Sequence, residues 1–123
     1  MKILMVDDED LIRRALTRTL QHRGHFVTEA ENGAIALNKM QQDKYDLIIL
    51  DLLMPEKNGF DVLQEMEKTA PVIVISAFSG SSTNHFHSED YPQVIGFIKK
   101  PFEHLAVVTE KVEELYAHYS RKV

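Results

Sequence analysis

The residues able to do chemistry in this chain stand at the ends of short apolar runs. "ILMV" is followed by Asp7 and Asp8, "LIIL" by Asp51, "VIVI" by Ser76, and "VIGFI" by Lys99 and Lys100. A carboxylate at the mouth of a core strand is costly to desolvate. Carboxylates brought together also repel, by roughly 3 kcal/mol for two charges about 5 Å apart at an effective dielectric of 20. Such a cluster takes up protons or a cation. The chain has no cysteine and no histidine beside these residues, so an all-oxygen site favours a hard ion, best Mg2+ with several waters retained. Mg2+ in turn favours a phosphoryl ligand, whose oxygens a lysine and a hydroxyl on adjacent strands would bind. Each residue alone has a plainer use, as an N-cap, a turn hydroxyl or a solvated surface charge. Their joint occurrence at four strand ends is what favours a site.

The elements that must position them are legible in the apolar pattern. Five strand-length runs are Ile3–Val6, Phe26–Thr28 with Ala30, Leu47–Leu50, Val72–Ile75 and Val94–Ile98. Helical spacing separates most of them. Ile12, Ala15, Leu16, Thr19 and Leu20 form one stripe, closed by Gly24 as a helix stop. Ala36, Leu37 and Met40 follow Gly33 at helical spacing, and Val62, Leu63 and Met66 follow Gly59. Leu105, Val108, Val112, Leu115, Tyr116 and Tyr119 mark a final amphipathic helix. Alternating strands and helices predict an α/β fold: a flavodoxin-like, doubly wound, five-stranded parallel sheet of order 2-1-3-4-5 with about five helices. In that order the first and third strands are neighbours, so Asp7, Asp8 and Asp51 converge. The exception is "FSGSSTNHFHSEDYPQ", residues 78–93, whose polar content and Pro92 predict a short, distorted or mobile fourth helix. His85 and His87 there, with Glu89 and Asp90, read as a polar loop rather than a second metal site. Met54 and Met66 read as packing residues rather than redox sensors.

Length and composition set the outer bounds. A chain of 123 residues predicts one domain, 1–123, with a core sufficient to fold unaided. The formal charge of -5 argues against direct nucleic-acid binding. "MKILMVDDED" is too soon acidic for a signal peptide, and no run approaches the roughly 18 apolar residues that span a bilayer. The expectation is a cytoplasmic protein without membrane contact, with which the absence of cysteine is compatible.

"ILMVDDED", "DLIILDLLMPEKNGFDVL", "VIVISA" and "GFIKKPF" together resemble the signature segments of the response-regulator receiver domain of two-component signalling. The likeness runs from Lys2 to the last helix. It implies that Asp51 is a phosphoacceptor, phosphorylated by a phosphohistidine of a sensor histidine kinase or phosphotransfer protein. It implies Mg2+ bound by Asp8, Asp51 and the Leu53 backbone carbonyl, with Asp7 acting mainly through water. Spacing alone leaves Lys99 and Lys100 as rivals on opposite faces; adjacency to Pro101 selects Lys100 by the resemblance. Ser76 would turn its hydroxyl onto a phosphoryl oxygen, and Phe97 occupies the aromatic switch position where Tyr is common. Leu53 and Ala77 stand at positions that tune dephosphorylation in the family. The face formed by the fourth strand, the fifth strand and the last helix would meet an output domain, a protein target or a second copy. The chain would not be an enzyme beyond self-catalysed phosphoryl transfer and autodephosphorylation. Two alternatives stand beside this reading. One is a Mg2+-dependent phosphohydrolase of the haloacid dehalogenase type, which usually carries an acid where Leu53 stands. The other is a receiver that binds partners independently of phosphorylation.

Overall fold

Apolar runs without alternation suit strands covered on both faces, and the computed structural model shows that arrangement. It describes residues 1–54, 57–67, 70–77, 90–100 and 104–122. The strands are β1 (Lys2–Val6), β2 (Phe26–Ala30), β3 (Leu47–Asp51), β4 (Val72–Ser76) and β5 (Val94–Lys99). The helices among the described residues are α1 (Asp10–His22), α2 (Gly33–Gln42), α3 (Gly59–Glu65) and α4 (Leu105–Lys122). The strands form one parallel sheet of order β2-β1-β3-β4-β5, the flavodoxin-like winding expected from the sequence.

Side chains alternate across the sheet into two cores. Leu4, Val6, Ile48, Leu50, Val72 and Val74 pack with Ala36 of α2 and Val62 and Leu63 of α3. Ile3, Met5, Leu47, Ile49, Ile73 and Ile75 face the other way, against Leu16 and Leu20 of α1 and Val108 and Val112 of α4. Each such fully buried aliphatic side chain contributes roughly 2 kcal/mol. Met54 and Met66 are buried in the first core, in the packing role expected of them.

Asp51, Ser76 and Lys99 are the last residues of their strands, at the strand ends where the sequence reading has them. The ladder runs past the apolar residues there, with Leu52 N donating to Ile75 O at 3.2 Å and Lys100 N to Ser76 O at 2.7 Å. The buried stripe of α1 is Arg13, Leu16, Thr17 and Leu20, turned from the apolar stripe because Arg13 finds partners inside. Of the segment 78–93, where a short, distorted or mobile fourth helix is expected, residues 78–89 with His85, His87 and Glu89 lie outside the described residues.

Two glycines are needed where they stand. Gly24 adopts φ 91° just beyond α1, where Gly24 N donates to Gln21 O and His25 N to Leu20 O. At Gly59 an added Cβ would lie 2.4 Å from Asp51 O and 2.6 Å from Leu52 Cα. Its missing side chain therefore lets the start of α3 press against the backbone that carries Asp51. Asn58 caps that start, accepting from Asp61 N while the Asp61 side chain accepts from Asn58 N.

Candidate functional site

All five strands point their carboxyl ends to one edge of the sheet, where open α/β folds place their ligands. Val6 pairs with Leu50, so Asp7 and Asp51 emerge from adjacent strands. Carboxylate oxygens of Asp7, Asp8 and Asp51 all lie within 4.8 Å of one another. Asp7 is fully buried and Asp51 is 2% exposed, while Asp8 is the most open of the three. Backbone amides orient the two buried acids. Leu53 N donates to Asp51 Oδ1 at 3.1 Å, and Glu9 N donates to Asp7 Oδ1 at 2.9 Å.

Lys100 closes the cluster from β5. Its Nζ lies 2.8 Å from Asp7 Oδ2, 2.9 Å from Glu9 Oε1 and 3.3 Å from Asp51 Oδ2. Lys100 is 5% exposed whereas Lys99 is exposed, so the geometry separates two lysines that spacing left as rivals. The first residue past the strand turns inward and the last strand residue turns out.

The charges are unevenly balanced. Burial, with the nearby Asp7 charge added to it, pushes the Asp51 carboxyl up to about 6, although Lys100 and the Leu53 amide pull the other way. Burial also works against the Lys100 ammonium, but Asp7, Glu9 and Asp51 outweigh it and hold its pKa above the ordinary lysine value. Asp7 Oδ2 is buried and meets Lys100 as an ion pair without hydrogen-bond alignment. A buried carboxylate oxygen lacking an aligned donor, beside two further carboxylates, fits a hard divalent cation. The donor set is all oxygen, which suits such an ion better than a thiophilic metal.

The other expected site residues are placed as follows. Ser76 is fully buried at the end of β4, and Ala77 after it is exposed. Leu53 is 48% exposed above Asp51. Phe97 is half-buried on β5, packed against the core that contains Val72 and Val74. Pro101 lies outside the described residues. A groove of about 760 Å³ lies at the opposite end of the sheet, lined by Met40, Tyr45 and Met66 among others, away from the carboxylates.

Two participants escaped the sequence reading. Glu9 was passed over as one more acid in "DDED", yet its side chain reaches Lys100. Arg13 is 6% exposed, and its NH1 donates to Asp7 O at 2.9 Å. Its Nε donates to Glu29 Oε1 at 2.7 Å, and its NH2 meets Asp10 Oδ1 at 2.8 Å. The Asp10/Arg13 spacing was a visible local signal; the contacts to Glu29 and Asp7 O were not.

A profile of the response regulator receiver domain family matches residues 3–113. This chain belongs to that family. Receiver domains are the phosphoacceptor signalling modules of two-component response regulators, and the hydrolase alternative gains no support from these comparisons. Response regulator RR06 of Streptococcus pneumoniae is 34% identical over 125 residues, covering 97% of this chain and 54% of that protein. Transcriptional regulatory protein ResD of Bacillus subtilis is 39% identical over 114 residues, covering 87% of this chain and 45% of that protein. The receiver domain thus spans about half the length of these curated relatives. Among solved structures, response regulator protein TrrA of Thermotoga maritima, in complex with Mg2+–BeF, is 36% identical with a TM-score of 0.78. That likeness covers 93% of this receiver domain and 97% of the TrrA chain. Among the described residues no helix is long and apolar enough to cross a membrane.

Proposed function

We propose that Asp51 is the phosphoacceptor of this receiver domain, charged by a phosphohistidine of a sensor histidine kinase or phosphotransfer protein. The observation that carries the reading is the meeting of Asp51 with Asp7, Asp8 and the buried Lys100 ammonium. An Asp51 carboxylate oxygen forms the new P–O bond as the P–N bond of the phosphohistidine breaks, its electron pair going to the imidazole. Such a transfer asks the protein for in-line positioning and charge neutralisation. Asp8, Asp51 and the Leu53 carbonyl would hold Mg2+, with Asp7 acting mainly through water. The bound ion would neutralise charge on the transferred oxygens. Lys100, already in the site, would turn from Asp51 to a phosphoryl oxygen, and the Ser76 hydroxyl would take another.

Movement of Ser76 would leave room for Phe97 to turn inward and change the face formed by β4, β5 and α4. An output domain, a protein target or a second copy of the chain would read that face. Leu53 and Ala77, flanking the site, would set how readily water reaches the acyl phosphate during autodephosphorylation. Lys100 precedes Pro101, which favours an extended backbone at Lys100. We take residues 1–123 as one receiver domain acting in the cytoplasm, without direct nucleic-acid or membrane contact. The test is incubation with acetyl phosphate and Mg2+ followed by intact mass measurement. One phosphoryl group should be gained by the wild type and none by Asp51→Asn. Absence of the gain, or its persistence in the variant, defeats the proposal.

A further inference from the structure

Glu9 occupies a position where its residue type is poorly suited to its local structure. It is the N-cap of α1, a place that favours Ser, Thr, Asp or Asn, and its side chain makes no capping hydrogen bond. Its backbone N–H is taken by Asp7 Oδ1. The carboxylate instead crosses to β5 and accepts from Lys100 Nζ at 2.9 Å, closer than the 3.3 Å between that ammonium and Asp51. Among the described residues the Lys100 ammonium donates to Glu9 and Asp51 and stands 2.8 Å from Asp7 Oδ2 as an ion pair, so three carboxylates share its charge. An incoming anion that needs this ammonium competes with these carboxylates, and the two hydrogen-bonded ones, Glu9 and Asp51, stand in its way. Asp7 and Asp51 are buried and held by backbone amides, whereas the Glu9 side chain is 53% exposed and can swing into water at little cost.

We propose that Glu9 is a positioning residue that holds the Lys100 ammonium at the mouth of the site and competes for it with the phosphoryl group. This rests on the phosphoacceptor reading above and adds a residue whose release accompanies phosphoryl binding. Competition differs from simple repulsion of an anion by a nearby acid. Glu9→Gln removes the repulsion and leaves the ammonium only a neutral, weaker acceptor, but Glu9→Asp keeps the charge and shortens the reach, while offering α1 a better cap and so preserving the fold.

The test is calorimetric titration of beryllium fluoride, a phosphoryl mimic, into the Mg2+-saturated full chain. Both Glu9→Gln and Glu9→Asp should bind it about three-fold more tightly than wild type, the scale of one partly exposed ion pair. Tighter binding by Glu9→Gln alone would assign the effect to charge repulsion and overturn the proposal, as would unchanged affinity in both. Failure of the wild type to bind at all would instead overturn the phosphoacceptor reading beneath it.

Discussion

Asp51 sits where its own charge is disfavoured. Its carboxyl is pushed up to about 6 in the fold, against 3.8 in an open chain. Between those values the folded protein binds more protons than the unfolded one, so this group makes stability fall as pH rises through that window. Above it the full cost is present. In metal-free buffer at pH 7.5, Asp51→Asn should therefore be more stable than wild type by on the order of 2 kcal/mol in urea unfolding. The gap should close near pH 4 and should narrow when Mg2+ is added to the wild type. Lys100 has the opposite effect on the same cluster. Lys100→Met would leave Asp7 and Asp51 buried without their counter-charge, and should cost about 3 kcal/mol in metal-free buffer at pH 7.5. Saturating Mg2+ should recover part of that loss, which the same unfolding curves would report.

At the scale of elements, two joints hold the acids in place. Arg13 ties the first turn of α1 to Glu29 on β2 and to the carbonyl of Asp7, so the loop carrying the acid pair is anchored from two sides. Arg13→Met keeps the bulk but releases that carbonyl. We expect a stability loss of about 2 kcal/mol, since a buried backbone acceptor loses a charged donor. Weaker Mg2+ binding should accompany it, measurable by titration. The second joint is Gly59, where α3 presses on the backbone of Asp51 and Leu52. The colliding atoms for Gly59→Ala are backbone and cannot rotate away. The variant should lose about 2 kcal/mol and take up phosphoryl from acetyl phosphate more slowly, because Asp51 itself must shift.

Across the whole molecule, the last helix is fastened to the far end of the sheet from the site. Glu113 of α4 meets His25 Nε2 at 2.8 Å and Arg23 NH2 at 2.7 Å, joining segments 88 residues apart for the histidine contact. The Arg23 guanidinium, ahead of His25, holds the Glu113 carboxyl below its ordinary range. A lowered acid contributes stability above its unfolded value, and that contribution is lost as pH falls through the folded value. Glu113→Gln should therefore be less stable than wild type at pH 7 by at most about 1 kcal/mol. The two should converge as pH falls through the lowered folded value of Glu113, as thermal unfolding at a series of acid pH values would show. The Leu115 side chain also fills the space where a Cβ on Gly96 would stand.

Much of this was written in the order of the residues. Unalternating runs such as Leu47–Leu50 determine strands covered on both faces, because only a doubly packed sheet can bury every residue of a run. Helices between them determine parallel connections, and parallel strands bring Asp7, Asp51, Ser76 and Lys100 to one edge. The candidate site is therefore legible in the sequence, down to its all-oxygen character. Local sequence could not decide which lysine turns inward, since Lys99 and Lys100 differ only in the side of the sheet they face. Nor could it show Arg13 on the buried face of α1, because its partners Glu29 and Asp7 O lie on or next to other strands. Glu9 is the clearest case. Beside two other acids it looks like one more helix-start charge. Only the arrival of Lys100, 91 residues away in the chain, makes it a partner of the site, because a side chain's contacts are set by whatever the fold brings within its reach.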